Sequence, residues 1–287
     1  MIPSAFTYVR AQDVADALRL LDQGGSGAKL LAGGQSLIPM MKLRLANPST
    51  LIDLGCIVAL RAVEVANGRI ALGPLATHAR IADNAEIATA APVLWDAAGV
   101  IGDPQVRNFG TIGGSSVHGD PGADYPAALL SLDARFTLTS ATGSREVMAD
   151  EFFVGMYESS LDASCEILTA ISFDWAPSSA YVKLEHPASG YAIAGAAANL
   201  RLENGTITCA RVALTGVGDI AFRATAVEAA LTGRATADER AIAGACTGAA
   251  AGIAALGDTL APSDYRLAMA DVVVERAIRR ALRRGER

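Results

Sequence analysis

Apolar residues near the start of the chain alternate between helical and extended spacing. Residues 13–22 carry apolar side chains three or four positions apart, which is typical of an amphipathic helix, after an extended stretch around Phe6 and Tyr8. A short apolar run followed by a glycine pair then predicts a buried strand that ends in a sharp turn. The predicted elements are a strand near 6–8, a helix over 13–22, a strand over 29–32, a turn at 33–34, a helix over 36–44 and a strand over 51–54.

The middle of the chain mixes short strands with helices. Asn67-Gly68 suits the positive φ angles of a type I′ turn, so the residues on either side of it are predicted to form a hairpin. We place a domain boundary at Ala176-Pro177-Ser178-Ser179, where turn residues interrupt the pattern. The predicted elements before that boundary are strands over 62–66 and 69–72, helices near Thr77, over 93–100 and over 124–132, and strands over 135–139 and 167–173.

Beyond the boundary the pattern is simpler. Strands are predicted near 181–185, over 192–202 and over 206–214, with Asn204-Gly205 as a second hairpin turn, and helices follow to the end. The alanine run at 192–198 fits either a strand or a helix, because small apolar residues carry little periodic signal. These elements predict two domains, each a mixture of strands and helices.

Composition narrows the classes of function. The chain has 287 residues, of which 51% are hydrophobic, enough to bury a core in each of two domains. A net charge of -6 argues against a general nucleic-acid binder, which needs a basic face. The beginning of the chain lacks a basic region followed by an apolar stretch, and no apolar run approaches the roughly eighteen residues of a membrane span. We expect no transmembrane segment and a cytoplasmic location.

Cysteine and histidine are scattered. Cys56, Cys165, Cys209 and Cys246 form no closely spaced pair of the kind that iron-sulfur clusters or structural zinc use, so we expect no metal site and predict buried free thiols. The segment 276–287 carries six arginines and one glutamate. It is either a solvated helix end, whose cations complement the helix dipole, or a docking site for an acidic partner.

Two glycine-rich segments are the candidates for ligand binding. In Ala32-Gly33-Gly34-Gln35-Ser36 a turn lies between a buried strand and a helix, so backbone N–H groups converge as a diphosphate requires. Thr111-Ile112-Gly113-Gly114-Ser115 lies within the polar run 108–124, predicted as an irregular loop that either surrounds a ligand or is an ordinary surface loop. The glycine patterns of a Rossmann NAD site and of a P-loop are not met.

These two segments, with Asp103-Pro104-Gln105-Val106-Arg107 before the second, resemble the FAD-binding medium subunits of the molybdenum hydroxylases, most closely the carbon monoxide dehydrogenase branch. The resemblance extends from end to end. It implies an FAD-binding domain over 1–175 of the PCMH or vanillyl-alcohol-oxidase-like type, with subdomains of about 1–55 and 56–175. A smaller C-terminal α+β domain of antiparallel strands and helices is implied over 178–287.

The resemblance also implies which residues bind FAD. The two glycine segments would contact the pyrophosphate, Asp124 the ribose, and four further residues would lie near the flavin ring system, with Tyr191 covering one of its faces. The implied residues are Lys29, Leu30, Leu31, Ala32, Gly33, Gly34, Gln35, Ser36 and Leu37 in the first segment, Thr111, Gly113, Gly114 and Ser115 in the second, then Asp124, and Ile101, Leu168, Lys183 and Tyr191 near the ring.

Three departures from the family pattern affect side chains. Gln35 stands where some relatives have histidine, and Ser115 where many have asparagine, so backbone contacts are the firmer expectation at both positions. Residues 185–191 read Glu-His-Pro-Ala-Ser-Gly-Tyr instead of a Lys-Arg-Lys-Ile-Gly-Asp-Tyr type, which loosens the link to carbon monoxide as substrate.

The implied function is electron transfer from a partner enzyme to an external acceptor. A large molybdopterin-binding subunit would oxidise the substrate, a small subunit with two [2Fe-2S] clusters would pass electrons singly, and FAD in this chain would deliver them to an external acceptor. A dimer of heterotrimers, a heterohexamer, is expected. Two alternatives stay open: a free-standing flavin oxidoreductase with His118 or His186 as base, and an interaction module that keeps the fold without flavin.

Overall fold

The computed structural model describes residues 2–285, so Met1, Glu286 and Arg287, the last of the six arginines, lie outside the described residues. The chain opens with a three-stranded parallel sheet of order β1-β3-β2, in which Leu51 pairs with Tyr8 on one side and Lys29 on the other. Its elements are β1 (Thr7–Arg10), α1 (Val14–Gly24), β2 (Ala28–Leu31), α2 (Leu37–Lys42) and β3 (Thr50–Asp53), with 3-10 turns at Gly25–Gly27 and Val58–Arg61.

A five-stranded antiparallel sheet of order β4-β5-β10-β6-β7 follows. Asn67 and Gly68 have φ angles of 52° and 77°, which confirms the predicted type of hairpin turn. The elements are β4 (Val63–Ala66), β5 (Arg69–Leu72), α3 (His78–Ala82), α4 (Ala85–Ala90), α5 (Pro92–Gly99), α6 (Pro104–Phe109), α7 (Ile112–His118), α8 (Asp124–Ser131), β6 (Arg135–Ser140), β7 (Gly143–Met148), α9 (Ala149–Phe152), β8 (Phe153–Gly155), β9 (Glu158–Ser159) and β10 (Ile167–Asp174).

The remainder forms a four-stranded antiparallel meander of order β11-β12-β13-β14, packed on helices. It contains β11 (Ser179–Glu185), β12 (Ala192–Glu203), β13 (Thr206–Thr215), β14 (Phe222–Arg223), α10 (Thr225–Leu231), α11 (Glu239–Ala245) and α12 (Ser263–Gly285). The α+β class predicted from the sequence is confirmed. Separate hydrophobic cores lie against the five-stranded sheet, beneath the meander and behind the parallel sheet.

The alanine run at 192–198 forms a strand. β12 pairs with β11 on one side and β13 on the other, so tertiary contacts decide what periodicity leaves open. The long helix α12 packs against β12, and small side chains on the strand permit this close approach.

The prediction of an irregular loop over 108–124 is wrong, because α6 ends and α7 lies within it. Both helices are short and begin with side-chain caps: Asp103 Oδ1 accepts from Val106 N at 2.7 Å, and Thr111 Oγ1 accepts from Gly114 N at 3.1 Å. Helix α4, also not predicted, begins with a similar cap at Asn84. Helices of six or seven residues give too little periodicity to be recognised from apolar spacing.

The basic end of α12 is not simply solvated. Arg280 and Arg284 donate to the carboxylate of Asp96 on α5, with the Arg284 contacts at 2.6 and 3.0 Å. Asp96 is buried, and it also accepts from Tyr181 N at 3.1 Å. These arginines therefore tie the terminal helix to the first half of the chain.

The four cysteines differ in exposure. Cys246 is buried and Cys209 half-buried, but Cys56 and Cys165 are exposed, so the prediction of buried thiols is wrong for two of the four. Among residues 2–285, no three His, Cys, Asp or Glu side chains gather in a metal-binding group. Within the same residues, every helix is too short or too polar to cross a membrane.

Candidate cofactor site

The first glycine segment joins β2 to α2 through a sharp turn. Gly34 adopts a φ of 71°, a left-handed conformation that favours glycine. Ser36 is the N-cap of α2, but its side chain makes no capping hydrogen bond. No acceptor within residues 2–285 takes the backbone N–H groups of residues 33–37. This turn therefore offers a ligand a run of consecutive unused donors.

The side chains of the first segment surround this turn. Lys29 lies on β2 with its side chain exposed, whereas Leu30 packs at the edge of the core behind the parallel sheet. Leu31, Ala32 and Leu37 are half-buried, and exposed Gln35 donates from Nε2 to Gly33 O at 3.3 Å. Gln35 thus braces the turn to which it belongs.

The second glycine segment uses most of its donors within the protein. Ile112 N donates to Ala76 O at 3.0 Å, and Gly113 N donates to Pro74 O at 2.9 Å. Thr111 accepts the next two amides, Gly114 N through its hydroxyl and Ser115 N through its carbonyl. Among the donors of this segment, Thr111 N and the hydroxyl of half-buried Ser115 have no acceptor within residues 2–285.

The two glycine segments touch each other although they are far apart in sequence. A β-carbon added to Gly33 would collide with Phe109 O and lie 2.8 Å from Gly110 Cα. One added to Gly114 would lie 3.7 Å from Ala32 Cβ. Glycine at position 33 is therefore required for the close approach of the segments, and the unused N–H groups of the first turn lie beside the start of the second.

His78 lies behind the contact between the segments. Its Nδ1 is 3.1 Å from the hydroxyl of fully buried Tyr125, and its Nε2 is 2.5 Å from where a β-carbon on Gly110 would be. Burial first, and the positive charge of Arg107 second, lower the pKa of His78 to about 4. His78 is therefore neutral at pH 7.

Asp124 lies at the centre of a buried polar cluster. Its carboxylate accepts from the Tyr181 hydroxyl at 2.6 Å and from Lys183 Nζ at 3.1 and 3.2 Å. Lys183 Nζ also donates to Val100 O at 2.8 Å and to Gly190 O at 2.7 Å. Burial raises the pKa of Asp124 to about 6, although Lys183 and Tyr181 act in the opposite direction.

Tyr191 lies next to this cluster and packs against the backbone before α8. A β-carbon on Gly122 would be 3.3 Å from Tyr191 Cδ1. The tyrosine keeps 44% of its surface exposed, and burial of the remainder, followed by the charge of Asp120, raises the pKa of its hydroxyl to about 12. Thr215 Oγ1 donates to Pro121 O at 3.0 Å, so the second half of the chain holds this backbone in place.

Ile101 and Leu168 differ in position. Ile101 is half-buried beside the main core, and Arg107 donates from Nη1 to its carbonyl at 3.1 Å. Leu168 is buried within that core, on β10 opposite Leu138. The structure thus brings Ile101 close to Lys183 through neighbouring Val100, and places Leu168 in the interior.

Sequence analysis missed His78 and Tyr181. Tyr181 carried a usable signal, because residues two apart on a strand share a face and Lys183 is two positions later on β11. Of the two histidines proposed as a base, His118 packs its ring against Tyr157 at 5.2 Å, and His186 Nδ1 accepts from Ala188 N at 3.3 Å.

Comparison with known families identifies the two parts of the chain. Residues 4–175 match the family described as FAD binding domain in molybdopterin dehydrogenase. Residues 179–281 match the CO dehydrogenase flavoprotein C-terminal domain. The chain belongs to the flavoprotein family of the molybdopterin dehydrogenases. The resemblance to this family, and the expectation that the chain binds FAD, are confirmed.

Individual relatives in this flavoprotein family match most or nearly all of the chain. The carbon monoxide dehydrogenase medium chain of Hydrogenophaga pseudoflava is 39% identical, with 98% of each chain covered. The 6-hydroxypseudooxynicotine dehydrogenase complex subunit alpha of Paenarthrobacter nicotinovorans is 38% identical over 79% of this chain and 78% of its own. A solved structure of carbon monoxide dehydrogenase from Hydrogenophaga pseudoflava matches with a TM-score of 0.94 and 41% identity, covering 99% of both chains.

Proposed function

We propose that this flavoprotein subunit receives electrons from the iron-sulfur clusters of a partner and passes them, through its FAD, to an external acceptor. The observation that carries FAD binding is the run of unused N–H groups at residues 33–37, and the electron-transfer role is supported by the family to which the chain belongs. Such a run in a glycine turn before a helix suits a diphosphate, because the donors converge and no side chain blocks the approach. When bound, FAD supplies the ability to accept and release electrons.

The pyrophosphate would lie between the two glycine segments. Residues 29–37 would provide most of the donors, from the backbone of the turn. The second segment would add fewer, through Thr111 N and the Ser115 hydroxyl, while Gly113 and Gly114 allow it to pack closely against Pro74 and Ala32. Gln35 is proposed to act on the turn itself, since its amide group already donates to Gly33 O.

The flavin end of the site would be formed by Asp124, Ile101, Lys183 and Tyr191. Asp124 accepts two protein hydrogen bonds and retains further acceptor capacity for a ribose hydroxyl. Tyr191, with much of its ring exposed next to Gly122, would cover one face of the ring system. Leu168 would contribute from the core behind the site.

We propose as partners a large molybdopterin-binding subunit and a small iron-sulfur subunit with two [2Fe-2S] clusters, in a dimer of heterotrimers. Support comes from the relatives, named as a medium chain and as a subunit of a dehydrogenase complex. We also propose the domain division 1–175 and 178–287, with subdomains meeting near residue 55; the ranges of the two family matches support the boundary between the two domains. The cytoplasmic location stays a prediction.

The test is flavin retention by the complex purified with its partners. We expect flavin absorbance, FAD released on denaturation, and one large and one small co-purifying subunit. Gly33→Asp should abolish FAD retention, because it places a carboxylate against the diphosphate and a side chain against Phe109 O. Gly244→Asp is the matched control, since a β-carbon there meets nothing within 4 Å. Normal FAD content in Gly33→Asp, or a colourless wild type that refuses added FAD, contradicts the proposal.

A further inference from the structure

Lys183 connects three separate segments of the chain. Its side chain is only 3% exposed, and Nζ donates to Val100 O, Gly190 O and the Asp124 carboxylate. These acceptors belong to the end of α5, to the turn after β11 and to the first residue of α8. A lysine ammonium has three N–H donors, so each donor of Lys183 has a protein acceptor.

The three segments are those that carry the proposed flavin neighbours. Val100 directly precedes Ile101, Gly190 directly precedes Tyr191, and Asp124 is itself proposed to bind the ribose. Bonds to the carbonyls of Val100 and Gly190 therefore fix the backbone immediately before Ile101 and Tyr191. A single ammonium group therefore fixes the separation between the backbone at Ile101 and the backbone at Tyr191, the two residues proposed to lie near the flavin ring system.

The turn that carries Tyr191 has few other restraints. Two backbone bonds close it, from His186 N to Tyr191 O at 2.7 Å and from Gly190 N to His186 O at 2.8 Å, and neither connects it to the rest of the protein. Gly190 has a φ of 72°, and residues 187–189 are exposed. Outside the turn, this side is anchored by the contact of the Tyr191 ring with Gly122, by the bond from Lys183 to Gly190 O, and by the backbone bond from Ala192 N to Gly122 O at 3.1 Å.

We infer that Lys183 is a positioning residue, which holds Tyr191 and Ile101 in place around the flavin and does not act by donating to the flavin itself. This inference rests on the proposed function. The proposed effect depends on the geometry of Lys183 and not on its charge alone, because one nitrogen donates to three acceptors from separate segments. A planar guanidinium has the same charge but different donor directions.

The test uses the purified complex and the fluorescence of its bound FAD, which stacking by an aromatic ring quenches. Lys183→Met should release Tyr191 and raise this fluorescence several-fold, as Tyr191→Ala should. The double variant should be no brighter than the brighter single variant, because both changes remove the same contact. Amide hydrogen exchange over residues 186–191 should become faster in Lys183→Met.

Lys183→Arg separates geometry from charge and keeps a cation beside Asp124 if the methionine variant fails to fold. Positioning predicts that Lys183→Arg is also brighter than wild type, whereas wild-type fluorescence and exchange in Lys183→Arg would assign the effect to charge and overturn the inference. Additive brightening in the double variant would overturn it as well. Lys42→Met is the matched control, an exposed lysine outside the site.

The outcomes also separate this inference from the proposed function. A wild-type complex that binds no FAD contradicts the proposed function. A wild-type complex that binds FAD, with Lys183→Met and Lys183→Arg indistinguishable from it in fluorescence and exchange, contradicts only the role of Lys183.

Discussion

The two glycine pairs look alike in sequence and differ in the structure. Gly33-Gly34 lies in a turn whose backbone N–H groups have no acceptor within residues 2–285, and Gly113-Gly114 lies in the first turn of a helix whose amides are already bonded to Pro74, Ala76 and Thr111. The first pair suits ligand binding by its backbone. The second allows close packing beside that backbone.

Capping explains part of the difference. Thr111 folds its hydroxyl back onto Gly114 N, whereas Ser36 makes no such bond. The carbonyls of Pro74 and Ala76 then take two more amides of the second segment. A glycine pair before a helix is therefore a donor site only when neighbouring side chains and carbonyls leave its N–H groups unused.

The largest expected effect is a pH-dependent change in stability caused by His78, which lies behind the second glycine segment. Buried His78 has a pKa of about 4, against about 6.5 when unfolded, so the unfolded chain binds more protons between these values. Its contribution to stability is present above pH 6.5 and is lost as pH falls towards 4, by up to about 3 kcal/mol. The free energies of unfolding of wild type and His78→Gln, measured in urea, should differ most at pH 7 and approach each other at pH 4.

Asp124 serves as a control for that experiment, because its contribution to stability has the opposite dependence on pH. Its raised pKa means that the folded state binds more protons, so its contribution is present below pH 4 and is lost as pH rises through about 6. Asp124→Asn should remove this loss of stability with rising pH. A wild type and His78→Gln that keep a constant difference from pH 4 to 7 would show that His78 is not a buried neutral group.

Gly113→Ala should act mainly on stability. The new methyl group would collide with Pro74 Cβ and lie 2.7 Å from Pro74 O, a rigid neighbour, and overpacking of this kind costs about 2 kcal/mol. The free energy of unfolding should fall by that amount relative to Gly244→Ala. FAD affinity of the folded fraction should change less than about threefold, equal to about 0.7 kcal/mol. A larger loss of affinity at unchanged stability would make the second segment a donor site.

Gly34→Ala should act mainly on FAD. Its φ of 71° is strained for alanine, and relief of that strain moves the donors of residues 33–37 out of alignment. We expect the dissociation constant for FAD, measured by titration of the apoprotein, to rise about tenfold, equal to about 1.4 kcal/mol. Unchanged affinity, with Gly113→Ala instead weakening FAD binding, would reverse the comparison between the two segments.

Thr111→Val should have the smallest effect. It removes the cap on α7 and lowers the free energy of unfolding by about 1 kcal/mol. Thr111→Ser should restore most of this loss, because serine caps helices in the same way. Denaturant unfolding of the three proteins measures the difference, and equal stability of all three would mean that the cap contributes nothing.

Local patterns predicted the first glycine turn, because a buried strand, a glycine pair and a helix follow one another between residues 29 and 42. They did not predict the conformation of the second, since α7 is short and two of its amide acceptors, Pro74 and Ala76, lie elsewhere in the chain. The same limit applies to Asp124 and Lys183, whose contact joins two halves of the molecule. Nothing local shows that Arg280 and Arg284 meet Asp96.

The contact of Gly33 with Phe109 O and Gly110 has a consequence for engineering. A loop grafted from a relative at the first segment would follow its own backbone path where it contacts the second. At this contact one added methyl group, as on Gly33, would collide with Phe109 O. The two segments are therefore one exchangeable unit, and chimaeras of this family should transfer residues 32–37 together with 109–115.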